Sequence, residues 1–182
     1  MKDSKARTRE LRSLVLCSLF CALTTLGAYI KLPLAVPVTL QLLFTNTAAL
    51  LLGRKYGCVT VLLYIFCGLA GLPVFTTGAG LASFFSLTFG FTLGFIPGAF
   101  FAGMISDRSK STKALALASA INLLCVYICG TLYFLLLKNL YFAQPTSISN
   151  ALSVCVIPFI IPDAVKSAAS ILLTKKLRAH IR

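Results

Sequence analysis

The sequence predicts an all-α integral membrane protein of six transmembrane helices, and three observations carry that prediction. Of the 182 residues, 58% are hydrophobic and only 12% are charged, a composition far from that of a soluble domain. The charges also fall between long uncharged runs, at residues 13–30, 32–53, 56–106, 114–137 and 139–162. At about 20 residues per crossing, the run 56–106 is long enough for two spans and a connection, and each other run for one. The third observation is which charges stand between the runs.

Lys and Arg total 17 against four acids, and a net charge of +13 could suggest nucleic-acid binding. The basic residues form no single face, which excludes that class. Lys2, Lys5, Arg7, Arg9 and Arg12 precede the first span. Arg54 and Lys55 join the second and third, Arg108, Lys110 and Lys113 the fourth and fifth, and Lys175, Lys176, Arg178 and Arg182 follow the sixth. Only Lys31 and Lys138 lie on the opposite side, and Lys166 falls inside a span. By the positive-inside rule both termini are expected to be cytoplasmic, in a multi-pass protein of the cytoplasmic membrane. The whole chain, 1–182, reads as one membrane domain with spans near 13–30, 38–53, 56–70, 84–106, 114–137 and 151–174 and an external connection at 71–83.

The basic start and first apolar run resemble a secretory leader, but the run is span-length and no small-x-small cleavage site follows, so it reads as a retained helix. Ser18 and Ala22 form a small-x-x-x-small ridge that suits either an outside partner helix or the protein's own bundle. Cys17/Cys21 and Cys125/Cys129 repeat at helical spacing. That spacing is weakly metal-like, but seven cysteines, all in apolar spans, read as small packing residues, and no metal or cofactor is expected.

Pro33 and Pro37 end the first span in an extended external connection. The second span opens with Thr39, Gln41, Thr45, Asn46 and Thr47. Gln41 and Asn46 need hydrogen-bond partners, as interhelical glue or as cavity lining. The third span is short and runs into Gly68-Leu69-Ala70-Gly71-Leu72-Pro73-Val74-Phe75-Thr76-Thr77-Gly78-Ala79-Gly80. Irregular backbone at membrane depth needs cover from protein or a wet cavity, so 71–80 is a candidate lid. In the fourth span Gly90, Gly94 and Gly98 bare one helix face, for helix packing or for a flat ligand. The fifth carries Asn122, Tyr127 and Tyr133, with no further signal, and the lone histidine, His180, lies in the basic tail, where a surface position is expected.

The last span holds Pro162-Asp163-Ala164-Val165-Lys166, a carboxylate and an ammonium three residues apart on one helical face. Ionisable residues within a span mark functional sites by default, and burying such a pair gains little net stability, so a purely structural role is a costly one. An enzyme would need a nucleophile, a base or a metal site, and one acid with a tail histidine supplies none of these.

Several segments together resemble the BioY family, the biotin-binding S components of energy-coupling factor transporters. They are Val36-Pro37-Val38-Thr39-Leu40-Gln41, Leu51-Leu52-Gly53, Tyr64, Gly68 to Phe75, Gly90-Phe91-x-x-Gly94-Phe95 and Pro162-Asp163-x-x-Lys166. The family's usual Gly-Pro-Thr-Gly-Gly-Tyr stands here as Ser86-Leu87-Thr88-Phe89-Gly90-Phe91, and the alanine pair of helix one as Ser18 and Ala22. The resemblance implies a six-helix bundle that captures biotin from outside and releases it inside by reorientation. Its partners would be a transmembrane coupling protein, docked through Ser18 and Ala22, and two ATPase subunits. The chain itself has no Gly-x-x-x-x-Gly-Lys-Ser/Thr. The implied substrate contacts are Asp163 and Lys166, then Gln41, Thr39, Gly71, Pro73 and Phe75, then Tyr64, Gly90, Phe91 and Gly94. The same bundle with an altered pocket would serve another small vitamin, and a structural scaffold would need neither Asp163 nor Lys166.

Overall fold

The computed structural model describes residues 2–32, 38–76 and 78–181. The expected connection through Pro33 and Pro37, the Val36-Pro37 part of the family-like segment, Thr77 and the side chain of His180 lie outside the described residues. Helices α1 (Lys2–Tyr29), α2 (Gln41–Leu69), α3 (Phe89–Arg108), α4 (Thr112–Leu136), α5 (Ile148–Cys155) and α6 (Ile160–Ile181) follow one another, with a two-residue antiparallel ribbon, β1 (Lys31–Leu32) and β2 (Val38–Thr39), before α2. Among the described residues five helical stretches are long and apolar enough to cross a membrane.

The sixth rod is hidden in α2, whose 29 residues would reach about 44 Å as one straight helix. Gly53 interrupts it at φ 79° and ψ −172°, a region open essentially to glycine alone. There the chain folds back: a Cβ added at Gly57 would stand 2.8 Å from Ala49 Cα, and the Gln41 side chain bonds the Tyr64 hydroxyl. The expected Arg54–Lys55 connection is thus no loop, because a single glycine makes the corner between arms 41–52 and 54–69. Arg54 and Lys55 already belong to the second arm.

Leaving the helical path exposes backbone groups that need partners. The Arg54 N–H donates to Asp107 Oδ2 at 3.0 Å, and the Leu50 carbonyl accepts from Ser106 Oγ and from the Arg178 guanidinium. Arg178 also donates to Ser106 Oγ at 2.7 Å. Asp107 thereby meets the positive end of the second arm and Arg178 the negative end of the first. Gly103 lets α3 close on this corner, since its Cβ would fall 2.5 Å from Arg54 N.

The glycine stripe of α3 is spent on α4. Cβ atoms at Gly90, Gly94 and Gly98 would meet Tyr133 Cβ at 2.2 Å, Val126 Cα at 2.8 Å and Asn122 Oδ1 at 2.0 Å. The flat-ligand alternative for that face is set aside on these distances, because another helix already occupies it. Below it, Asn122 Nδ2 donates to Asn46 Oδ1 (2.9 Å) and Asn46 Nδ2 to Ser119 Oγ (3.0 Å), so Asn46 ties α2 to α4. On α1, Cys17 and Cys21 point into the bundle, whereas Ser18 and Ala22 are exposed, with Leu14, Val15, Leu19 and Leu26 on the same outer surface.

The stretch read as one span at 151–174 is broken: α5 is capped by Ser147, a 3-10 turn covers Ile157–Phe159, and α6 starts afresh at Ile160. The ring of Pro158 and the non-helical φ of −125° at Val156 account for the interruption. Its result is a new helix N-terminus inside the bundle, with Asp163 in its first turn.

Candidate functional site

Four helix segments converge at the end of the bundle opposite the Gly53 corner and line a cavity that is partly open to solvent. α2 contributes Gln41 and Leu42, with Thr39 just before it. α3 and the residue preceding it contribute Thr88, Phe91, Thr92 and Phe95; α4 gives Val126 and Tyr127; α6 and its 3-10 lead give Phe159, Asp163 and Lys166; Thr76 comes from the segment after α2. Phenylalanines and aliphatic side chains share the wall with four threonines, Gln41, Tyr127 and one charged pair.

The charged groups are the centre of that polar set. Asp163 and Lys166 are only 4% and 8% exposed, and they form an ion pair through Asp163 Oδ1. Lys166 Nζ also donates to the Thr39 carbonyl at 2.9 Å, and Asp163 Oδ2 accepts from the Tyr127 hydroxyl at 2.8 Å. Asp163 also stands in the first turn of α6, at the positive end of that helix's dipole. Beside it, Thr39 Oγ1 donates to Gln41 Oε1 at 2.9 Å, and the Gln41 amide donates to Tyr64, whose hydroxyl donates to the Val74 carbonyl at 2.8 Å. Gln41 thus serves both alternatives open for it, lining the cavity and linking the two arms of α2.

Of the residues read from the sequence as substrate contacts, Thr39, Gln41, Phe91, Asp163 and Lys166 line the cavity together. Tyr64 is fully buried one layer behind, holding Gln41. Phe75 is buried against Tyr64 and Phe89, with ring centroids 5.4 and 5.8 Å away, and fits where Gly68 has no side chain. It plugs the 71–80 segment into the bundle. Gly71 and Pro73 stand exposed on the outer turn, and the Pro73 carbonyl accepts from Tyr29. Gly90 and Gly94 are in the α3–α4 contact and off the cavity wall.

The sequence reading missed Tyr127, Thr76, Thr88, Thr92, Phe95 and Phe159 on the wall. Tyr127 gave no local signal because a tyrosine in an apolar span is commonplace. Only the antiparallel packing of α4 on α6 sets it against Asp163. Thr88 and Thr92, one helical turn apart beside the glycine stripe, could have been picked out as the polar edge of that face.

The family model described as the BioY family matches residues 1–182. The chain belongs to the BioY family. The family first suggested by six short segments therefore extends over the full length. Among BioY relatives, the chain is 38% identical over 168 residues to the probable biotin transporter BioY of Lysinibacillus sphaericus, covering 91% of this chain and 86% of that protein. It is 35% identical over 170 residues to the biotin transporter BioY of Thermotoga maritima, covering 92% and 96%. The fold matches a crystal structure of the S-component for biotin from an ECF-type ABC transporter with a TM-score of 0.81, covering 94% of this chain and 93% of that one at 23% identity.

Proposed function

We propose that this chain is the substrate-binding S component of an energy-coupling factor transporter and that it takes up biotin through the cavity at the Asp163–Lys166 pair. The observation that carries the proposal is that pair: two opposite charges buried in the wall of a cavity and held to each other, with Tyr127 and the Thr39 carbonyl as further partners. The ureido head of biotin offers N–H donors and a carbonyl acceptor in one small ring. Asp163 accepts from a ureido N–H, and Lys166 donates to the ureido carbonyl. The contact between the two side chains supports a reading in which both address the same end of the ligand. Phe91, Phe95 and Phe159 supply apolar surface for the bicycle, Thr39 and Gln41 complete the polar rim, and Tyr64 and Phe75 hold that wall in place.

In this reading the termini and the Gly53 corner are cytoplasmic, as the basic residues around them favour, and the cavity faces outward with 71–83 as its lid. Gly71 and Pro73 form the lid's outer turn, and Phe75 is its anchor. Ser18 and Ala22 face away from the bundle and are available to a transmembrane coupling protein, while paired ATPase subunits supply the hydrolysis for which this chain has no motif.

Binding of labelled biotin to the purified chain in lipid nanodiscs, competed by unlabelled biotin, thiamin or riboflavin, tests the substrate. Displacement by biotin alone is expected. Equal displacement by another vitamin, or no binding of labelled biotin at all, overturns the proposal.

A further inference from the structure

We infer that the cavity reads the ureido end of its ligand and leaves the carboxylate end without a cation, so that it also accepts biotin derivatives whose carboxylate is a neutral amide. The inference rests on the biotin reading above and names the wider substrate class of the same site.

Charge accounting on the cavity wall carries it. Among the lining residues only Asp163 and Lys166 are charged, and they neutralise each other. Pro33, Leu34, Ala35, Val36, Pro37 and Thr77, which lie outside the described residues, carry no charge. Lys31 and Lys138, the other cations expected at this end, are off the wall: Lys31 is exposed, and the half-buried Lys138 donates from Nζ to Gln144 Oε1 at 2.7 Å. Drawing a ligand carboxylate to Lys166 would set it beside Asp163, leaving one ammonium between two desolvated carboxylates, an arrangement that raises the cost of keeping both ionised. The carboxylate is therefore excluded from the charged side of the cavity.

The side away from α6 has Thr76, Thr92 and Thr88, whose hydroxyl also bonds Ser86 Oγ at 2.8 Å. Their hydroxyls are neutral donors, and a neutral donor bonds an amide carbonyl nearly as well as a carboxylate oxygen. Thr76 and Thr88 belong to the connection between α2 and α3, which includes a 3-10 turn at Gly80–Phe85, and both are half-buried. With no cation lining that side, a carboxylate gains no ion pair there that an amide would lose.

The test is a ligand series on the wild-type chain in nanodiscs, each compound competing with labelled biotin: biotin, biotinamide, the amide of biotin with the lysine side-chain amine, and 2-iminobiotin, which replaces the ureido oxygen. Biotinamide is expected to compete within about tenfold of biotin, and 2-iminobiotin at least about thirtyfold worse than biotin. Failure of biotinamide to displace biotin at hundredfold excess overturns the inference while leaving biotin as the substrate. Competition by 2-iminobiotin as strong as biotin's overturns the assignment of the ureido head to Asp163 and Lys166. No binding of labelled biotin overturns the functional reading, and this inference with it. The lysine amide sorts size from charge: competition within tenfold extends the accepted class to bulkier neutral tails, and its failure beside a competent biotinamide limits the class to small ones.

Discussion

α6 carries two cations onto backbone carbonyls, one in β2 and one in α2, and the two ends of that helix use the same bond for different purposes. Lys166 donates to the Thr39 carbonyl at the cavity end, and Arg178 donates to the Leu50 carbonyl at the Gly53 corner. Between them Ser170 donates to the Leu43 carbonyl at 3.1 Å, so one face of α6 follows the first arm of α2 from end to end. At the corner, Gly53 breaks the helix, and the half-buried Arg178, Ser106 and the exposed Asp107 bond backbone groups that the break leaves without helical partners. At the cavity, Lys166 and Asp163 face open space. A buried charge in a span marks a binding site only where some of its hydrogen-bonding capacity points at a cavity. Where neighbouring helix ends consume that capacity, the charge is structural.

The largest effect that separates the two ends should come from cutting the cavity pair. Asp163→Asn and Lys166→Met, made singly, each leave a buried charge without its partner and should weaken biotin binding about thirtyfold or more, measured by equilibrium binding with membrane levels checked. Unchanged affinity in both would make this pair structural too. Arg178→Met should do the converse. It removes a charged bond to a carbonyl with no other helical donor, costing about 1.5–3 kcal/mol of stability, while biotin affinity stays within about threefold. A thermal-unfolding series in nanodiscs measures the first quantity, and a loss of binding without loss of stability would erase the contrast.

Gly53→Ala attacks the corner by another route. Its Cβ would stand 2.0 Å from Asp107 Oδ1 at a backbone conformation that alanine rarely adopts, and the expected cost is about 1–3 kcal/mol, seen as a lower unfolding midpoint. A midpoint equal to the parent's would mean the corner is not held as described. The smallest effect belongs to Tyr127→Phe, which removes one bond to Asp163 Oδ2 and should weaken biotin binding about fivefold. Stronger binding in that variant would show the tyrosine competing with the ligand for Asp163.

Much of the bundle was legible from the chain because membrane-spanning helices are announced by local composition. The apolar runs, the basic residues between them and the acid–lysine pair of α6 are all written in consecutive residues. The site was legible where polar residues stood out against that background, as Gln41, Asp163 and Lys166 do. It was not legible in Tyr127 or in the threonines, which are ordinary span residues until a neighbouring helix gives them a direction. The glycine stripe shows the same limit: Gly90 and Gly94 declared a bare face but not what covers it, and Tyr133 and Val126 of α4 cover it.

By itself, then, the sequence determined the solvent in which this chain folds, the number of rods it forms and the one place within a span where opposite charges meet. Those follow from hydrophobicity and charge, which add up along the chain. Only the tertiary structure decided that Gly53 makes a corner without a loop, that a break at Val156 to Phe159 turns Asp163 into a helix-start residue, and that α4 brings Tyr127 to it. Each of these depends on backbone groups and side chains far apart in the chain finding one another. Hydrogen bonds and close packing act only across the last few ångströms, and that proximity exists only once the helices are assembled.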